Sequence, residues 1–151
     1  MNVRHILAPT DFSEHSKQAV TYAFELAQKL HAKLSLLHAI EVPVYAIEVA
    51  LPLEGLEADA RRELARLLPE AETAHVAVTR LVVMGVPYQR ILETAADEQV
   101  DMIVMATHGR TGLSHLIMGS VTERIVRTSP CPVLTIRPPG EGSVGLRTTL
   151  I

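Results

Sequence analysis

Short apolar runs alternate with segments of helical period along this chain. Val3 to Ala8 reads as a first strand, closed by Pro9-Thr10-Asp11-Phe12-Ser13, where proline stops the strand and Ser13 is placed to cap a helix. Ala19, Val20, Ala23, Leu26, Ala27 and Leu30 then recur at spacings of one, three and four, which draws one apolar stripe on a helix from about Glu14 to His31. Leu34 to Ile40 is a second strand. Leu56, Ala60, Leu64 and Leu67 mark a helix from Glu54 to about Leu68, with Glu57 and Arg61 spaced for an i,i+4 pair and Pro69 placed to end or kink it.

His75 to Met84 reads as a third strand. Gly85-Val86-Pro87 introduces a helix that carries Ile91, Leu92, Ala95 and Ala96 on one side. Val100 to Ala106 is a fourth strand, and its Met102-Ile103-Val104-Met105-Ala106 core shows no polar alternation, the signature of a strand covered by helices on both faces. A helix from Ser120 to about Thr128 and a strand from Val133 to Ile136 complete the series. Strands alternating with helices require right-handed crossovers, so the chain is predicted to be α/β, an open five-stranded parallel sheet with helices on both faces. This implies one domain over residues 1–137, and the Pro-, Gly- and Ser-containing residues 138–151 are expected to be a mobile tail unless a partner orders them.

In such sheets ligands settle outside the carboxyl ends of the strands, where strand order reverses. With the order 3-2-1-4-5 the first and fourth strands flank that point, so Pro9-Thr10-Asp11 and the stretch from Ala106 to Ser120 are expected to face one crevice. The latter stretch is chemically the most informative. Gly109 and Gly119 let backbone approach an anion, and the helix opening at Ser120 offers amides without partners inside the helix. Arg110 offers a charge-assisted contact. A competing reading makes Ser120-Val121-Thr122-Glu123 a capping box that binds nothing, and Asp11 a cap for the first helix; ligand and capping roles are compatible.

Composition narrows the classes. The 151 residues carry a net charge of −3, with two Phe, three Tyr and no Trp, which disfavours nucleic-acid binding. The single Cys131 has no partner for a disulfide and fits a reducing compartment, with the bland role of a small buried residue. No run approaches the roughly eighteen apolar residues of a membrane span, and the opening Met1 to Ile6 lacks a signal-peptide layout, so cytoplasmic residence without membrane insertion is expected. The seven histidines, including His108 and His115, show no metal-site spacing, and no protein-held metal is expected. The connector Glu41 to Leu53, between and around Pro43 and Pro52, is apolar enough to cover a site or a subunit interface, or to be an ordinary packed connection.

Together, Ala8-Pro9-Thr10-Asp11-Phe12-Ser13, Leu36-Leu37-His38-Ala39, the Ala106 to Gly112 loop with Met118-Gly119-Ser120-Val121-Thr122 after it, and Ser129-Pro130-Cys131-Pro132 resemble the universal stress proteins. The likeness spans residues 1–137. It includes the Gly-x-x-Gly, nine-residue, Gly-Ser loop of the ATP-binding branch, with Ala106 replacing the first glycine. The resemblance implies a Rossmann-like fold of the adenine nucleotide alpha-hydrolase type and a site for ATP or AMP, with magnesium carried by the nucleotide. It implies that Pro9, Thr10 and Asp11 lie by the adenosine, that Ala39, Met105 and Ala106 line the base and ribose pocket, and that Gly109, Gly119, Ser120, Val121 and Thr122 hold phosphates. A positive φ at Ala106 would weaken that site, whereas a negative one would leave it intact.

No lysine precedes Gly119-Ser120 as in a Walker A loop, and no Gly-x-Ser-x-Gly elbow is present, so no catalytic residue is assigned. The expected role is a nucleotide-dependent switch or sensor in stress response. The alternatives are a slow ATPase or phosphotransferase, or a structural stress dimer without nucleotide. A homodimer is expected through Val133 to Ile136, read as an apolar edge strand.

Overall fold

Two faces of one sheet each carry their own apolar cluster, and the strands supply both by simple alternation. The five parallel strands are β1 (His5–Pro9), β2 (Lys33–Ile40), β3 (Val78–Met84), β4 (Met102–Ala106) and β5 (Val133–Ile136). Among the described residues four helices connect them: α1 (Glu14–Leu30), α2 (Glu54–Leu67), α3 (Pro87–Asp97) and α4 (Ser120–Thr128). The structure is a computed structural model that describes residues 2–43, 54–70, 73–109, 118–137 and 148–150. The parallel strands lie in the order β3-β2-β1-β4-β5, as expected. No helix among the described residues is long and apolar enough to cross a membrane.

Ile6 and Ala8 of β1, Leu34 and Leu36 of β2, and Met102 and Val104 of β4 pack toward α1 and α2 with Ala19, Val20, Ala23, Ala27 and Leu64. Their neighbours Leu7, Leu37, Ile103 and Met105 pack on the other face with Ile91 and Ala95 of α3 and Ile125 of α4. A central strand therefore needs apolar residues at successive positions, which explains the unbroken run in β4. Each fully buried Leu or Ile contributes roughly 1.5–3 kcal/mol relative to exposure.

Local chemistry ends these elements where the residues dictate. Ser13 caps α1, its Oγ accepting from the Ser16 N–H at 3.2 Å, and His31 closes the helix at φ +53°. Pro87 opens α3 at the position where a missing N–H costs nothing. The third strand starts at Val78 and not at His75, because the Val76 N–H turns back to Thr73 O at 2.9 Å.

One expectation at the far edge is corrected. Residues 148–150 form β6 (Thr148–Leu150), which pairs antiparallel with β5 through Leu134↔Leu150, Thr135↔Thr149 and Ile136↔Thr148. Val133 to Ile136 is consequently not an edge strand, since β6 lies outside it. The physical cause is the one that motivated the dimer: an apolar strand edge recruits a partner, and here the chain supplies its own.

At the amino ends of the strands, buried His5 has Nε2 at 2.9 Å from Ser35 Oγ, and its Nδ1 donates to the Glu98 carbonyl at 3.2 Å. Burial, seconded by the nearby Lys33 charge, lowers the imidazole pKa from its ordinary value. The backbone N–H groups of Arg4, at 2.8 Å, and of His5, at 2.9 Å, hold the Asp101 carboxyl below the usual carboxylate range. A lowered folded-state pKa means that the unfolded chain takes up the proton first, so both groups contribute stability above their ordinary values and lose it as pH falls. Urea unfolding should therefore show stability declining as pH drops below about 6.5, with a further loss in the carboxylate range. His5→Gln should flatten the first segment; an unchanged slope would refute the assignment.

Candidate functional site

Parallel strands β1 and β4 are neighbours, paired Ile6↔Met102 and Leu7↔Ile103, yet the chain leaves them in opposite directions around the sheet. A crevice of about 730 Å3 opens at their carboxyl ends, within the usual range of small-molecule sites. Pro9, Thr10, Asp11, Ala39, Met105, Ala106, Gly109, Gly119, Ser120, Val121 and Thr122 all line it. Eleven of the twelve residues singled out in the sequence are thus brought to one place; the twelfth, Arg110, lies outside the described residues, as do His115 and most of the 41–53 connector.

The turn after β1 is held by a directed chain of hydrogen bonds. Ser16 Oγ donates to Ser13 O at 3.0 Å, the Thr10 hydroxyl lies 2.9 Å from Ser16 Oγ, and the Phe12 N–H donates to Thr10 Oγ1 at 3.0 Å. With the Ser16 proton directed at Ser13, Thr10 is the donor in the middle link. Asp11 Oδ1 accepts from the N–H and Oγ of Ser13 at 3.0 and 2.6 Å. Asp11 therefore supports the helix cap and is not the cap itself. Phe12 takes φ +65°, and its ring packs on His38 with centroids 4.3 Å apart. His38 Nδ1 lies 2.8 Å from Thr10 O, an atom that can only accept, so this nitrogen carries the proton.

Across the crevice, the glycine-bearing loop is drawn together at its base. The Gly119 N–H donates to Thr107 O at 2.7 Å, and Thr122 Oγ1 donates to Ala106 O at 2.9 Å, fixing the mouth of α4 to the end of β4. A Cβ on Gly119 would stand 3.3 Å from Thr107 O and 3.6 Å from His108 Cα; one on Gly109 would stand 2.6 Å from Asp11 Oδ2. A side chain at Gly119 would press on backbone, and one at Gly109 would displace the Asp11 carboxylate. The capping-box reading is corrected: Gly119 is the N-cap of α4, no side chain caps it, and Glu123 pairs with Arg127 at 2.9 Å. Ser120 is the first helical residue and exposed, α4 begins at the crevice, and among the described residues no side chain caps its leading amides. Ala106 is an ordinary strand residue paired with Ile136, and it is not among the residues of positive φ.

Several lining residues were assigned no role in the site by the sequence. Phe12, His38, Glu41 and His108 flank the turn and strand ends, while Leu56, Asp59, Ala60 and Glu63 of α2 form another wall. The latter four have the spacing i, i+3, i+4, i+7, so one helix face was legible as a stripe in which two carboxylates interrupt apolar positions. Pro87 and Ile91 bring α3 to the same space.

The universal stress protein family model matches residues 2–137. This chain belongs to the universal stress protein family. Universal stress protein MJ0531 of Methanocaldococcus jannaschii is 32% identical over 144 residues, covering 90% of this chain and 83% of its own length. A universal stress protein of Thermus aquaticus is 35% identical over 133 residues, covering 87% and 97%. The solved structure of MJ0577 superposes with a TM-score of 0.81 at 31% identity over 93% of this chain and 99% of that one. Relative to the loop pattern of the ATP-binding universal stress proteins, this member's Ala106 keeps the strand geometry, so its methyl is accommodated without backbone strain.

The approach of Gly109 to Asp11 gives a measurable coupling. Gly109→Ala should cost about 1 kcal/mol by displacing the Asp11 carboxylate from Ser13, and most of that cost should vanish in an Asp11→Ala background. Equal costs in both backgrounds, read by urea unfolding, would contradict the contact.

Proposed function

We propose that the crevice binds an adenine nucleotide, ATP or AMP, and that its occupancy acts as a switch or sensor in the stress response of a cytoplasmic protein. The observation that carries the reading is the convergence of two glycines and an uncapped helix mouth on one rim: Gly109, Gly119 and the leading amides of α4 form a cradle that side chains would fill. Backbone donors and the positive end of a helix dipole suit phosphate oxygens. Gly119, Ser120, Val121 and Thr122 would take phosphates through their backbone, since the Thr122 hydroxyl is already engaged with Ala106 O. Arg110 would add charge.

The other end of the crevice suits a planar base. Ala39, Met105 and Ala106 offer a mainly apolar pocket, with Pro9, Thr10 and Asp11 beside the adenosine. Asp11 would meet a ribose hydroxyl or, through water, the magnesium that the nucleotide carries. Solved universal stress proteins hold cAMP, at 23% identity and a TM-score of 0.66, and AMP in an Arabidopsis thaliana member, at 17% and 0.65. At such identities the likeness extends to the fold, and the reading for this chain rests on its own cradle.

Binding, and not turnover, is the proposed role: α4 opens at Ser120 with no preceding lysine to draw charge from a leaving phosphate. A homodimer belongs to the reading in altered form. Because β6 covers β5, a second copy reaches that strand only by replacing residues 148–150.

Isothermal titration with magnesium and ATP should give saturable heat, and none at millimolar nucleotide would overturn the proposal. Ser120→Asp places a carboxylate at the exposed helix mouth, where it favours the helix and repels phosphate. It should leave thermal stability equal or higher while weakening ATP at least roughly tenfold.

A further inference from the structure

Phe12 is held in a conformation that its side chain opposes. Among the described residues three other than glycine take a positive φ: Phe12 at +65°, His31 at +53° and Gln99 at +51°. His31 ends α1 and Gln99 follows the last turn of α3, places where a left-handed residue is routine. Phe12 ends no helix. It stands in the turn between β1 and α1 and lines the crevice, and an aromatic residue in the left-handed region is an outlier that its surroundings must impose.

Two contacts impose it. The Phe12 N–H donates to Thr10 Oγ1 at 3.0 Å, and the ring lies at 31° on that of His38, whose Nδ1 donates to Thr10 O at 2.8 Å. Thr10 is itself anchored to the sheet, its N–H donating to Leu37 O at 2.8 Å. The consequence is seen on either side of Phe12. Asp11 Oδ1 accepts from the N–H and Oγ of Ser13, so a side-chain hydrogen bond spans the left-handed residue. Such a bond spans its intervening residue as a β-turn spans its central pair, and φ at Phe12 therefore sets which way the turn faces. In this setting Asp11 Oδ2 reaches the opposite rim, 2.6 Å from where a Cβ on Gly109 would stand.

Resting on the nucleotide reading, we infer that Phe12 is a positioning residue, whose left-handed backbone aims the Asp11 carboxylate across the crevice at the glycine rim, where the adenosine end of a nucleotide meets it. The ring serves to hold φ through His38, and the carboxylate acts on the ligand. A side chain at home in the left-handed region would do the same work without the ring, whereas a β-branched one would leave that region and take Asp11 with it.

Variants at position 12 test this, because tolerance of positive φ and apolar bulk rank side chains in opposite orders. Phe12→Asn should keep the affinity for magnesium–ATP close to that of the unaltered protein. Phe12→Val should weaken it on the order of tenfold, the size of one hydrogen bond to a charged group. In an Asp11→Ala background the two should bind alike. Should Phe12→Val fail to fold, Phe12→Leu supplies the same comparison. The reverse ranking, with Val near normal and Asn weak, would make the ring's bulk the cause and overturn the inference, as would a loss in Phe12→Val that persists without the Asp11 carboxylate.

A measurement without nucleotide separates this inference from the reading on which it rests. In urea unfolding Gly109→Ala should destabilise the unaltered protein, since its methyl group meets Asp11 Oδ2, and should cost almost nothing beside Phe12→Val, where the carboxylate has turned away. An equal cost in both would overturn the positioning role whatever nucleotides do. The expected urea result, with no adenine nucleotide bound by the unaltered protein, would uphold the aim of Asp11 and remove the nucleotide reading alone.

Discussion

Covering a parallel sheet on both faces is the constraint on which the rest of this protein depends. With α1 and α2 over one face and α3 and α4 over the other, consecutive strand residues such as Leu36 and Leu37, or Ile103 and Val104, are all withdrawn from water. Almost no polar group can be housed within the strands, and two that are, His5 and Ser35, hydrogen-bond to each other. Chemistry is left to the strand ends. Since β1 and β4 are adjacent while their connections diverge, the carboxyl ends of those two strands offer a gap that helices do not fill.

At the glycine-bearing rim of that gap stands backbone. The polar side chains of the β1 turn are occupied with one another: Thr10 with Ser16 and Phe12, Asp11 with Ser13. Thr122 is likewise engaged with Ala106 O. Side chains already hydrogen-bonded to one another in this way have little freedom left to lose if a ligand enters. The family membership agrees with this architecture, and Ala106 sits in strand geometry, outside the residues of positive φ.

Much of this was legible in the residues because hydrophobic period and glycine placement act locally. The unbroken Met102 to Ala106 run and the α1 stripe dictate their own elements, and the switch point then joins Asp11 to Gly109 across the chain. Pairing between distant segments was less visible. Nothing in Thr148-Thr149-Leu150 distinguishes a strand from a tail until the edge of β5 is known to need a partner. Ser120-Val121-Thr122-Glu123 has the spacing of a capping box, but the hydrogen bond from Gly119 to Thr107 sets the helix start one residue earlier than the box requires. The α2 wall shows only as a helical stripe, and its two carboxylates say nothing of a site, because a charged helix residue is ordinarily a solvated one.

The Gly119 to Thr107 hydrogen bond also separates two kinds of variation. It makes a neck whose two sides are fixed by β4 and α4, independently of the residues that join them. Closure entropy grows slowly with length, about 0.6 kcal/mol for each doubling. A change of length between positions 110 and 119 therefore costs little in closing the neck. A side chain at Gly119 is another matter, because it would press on the very carbonyl, Thr107 O, that draws the neck shut.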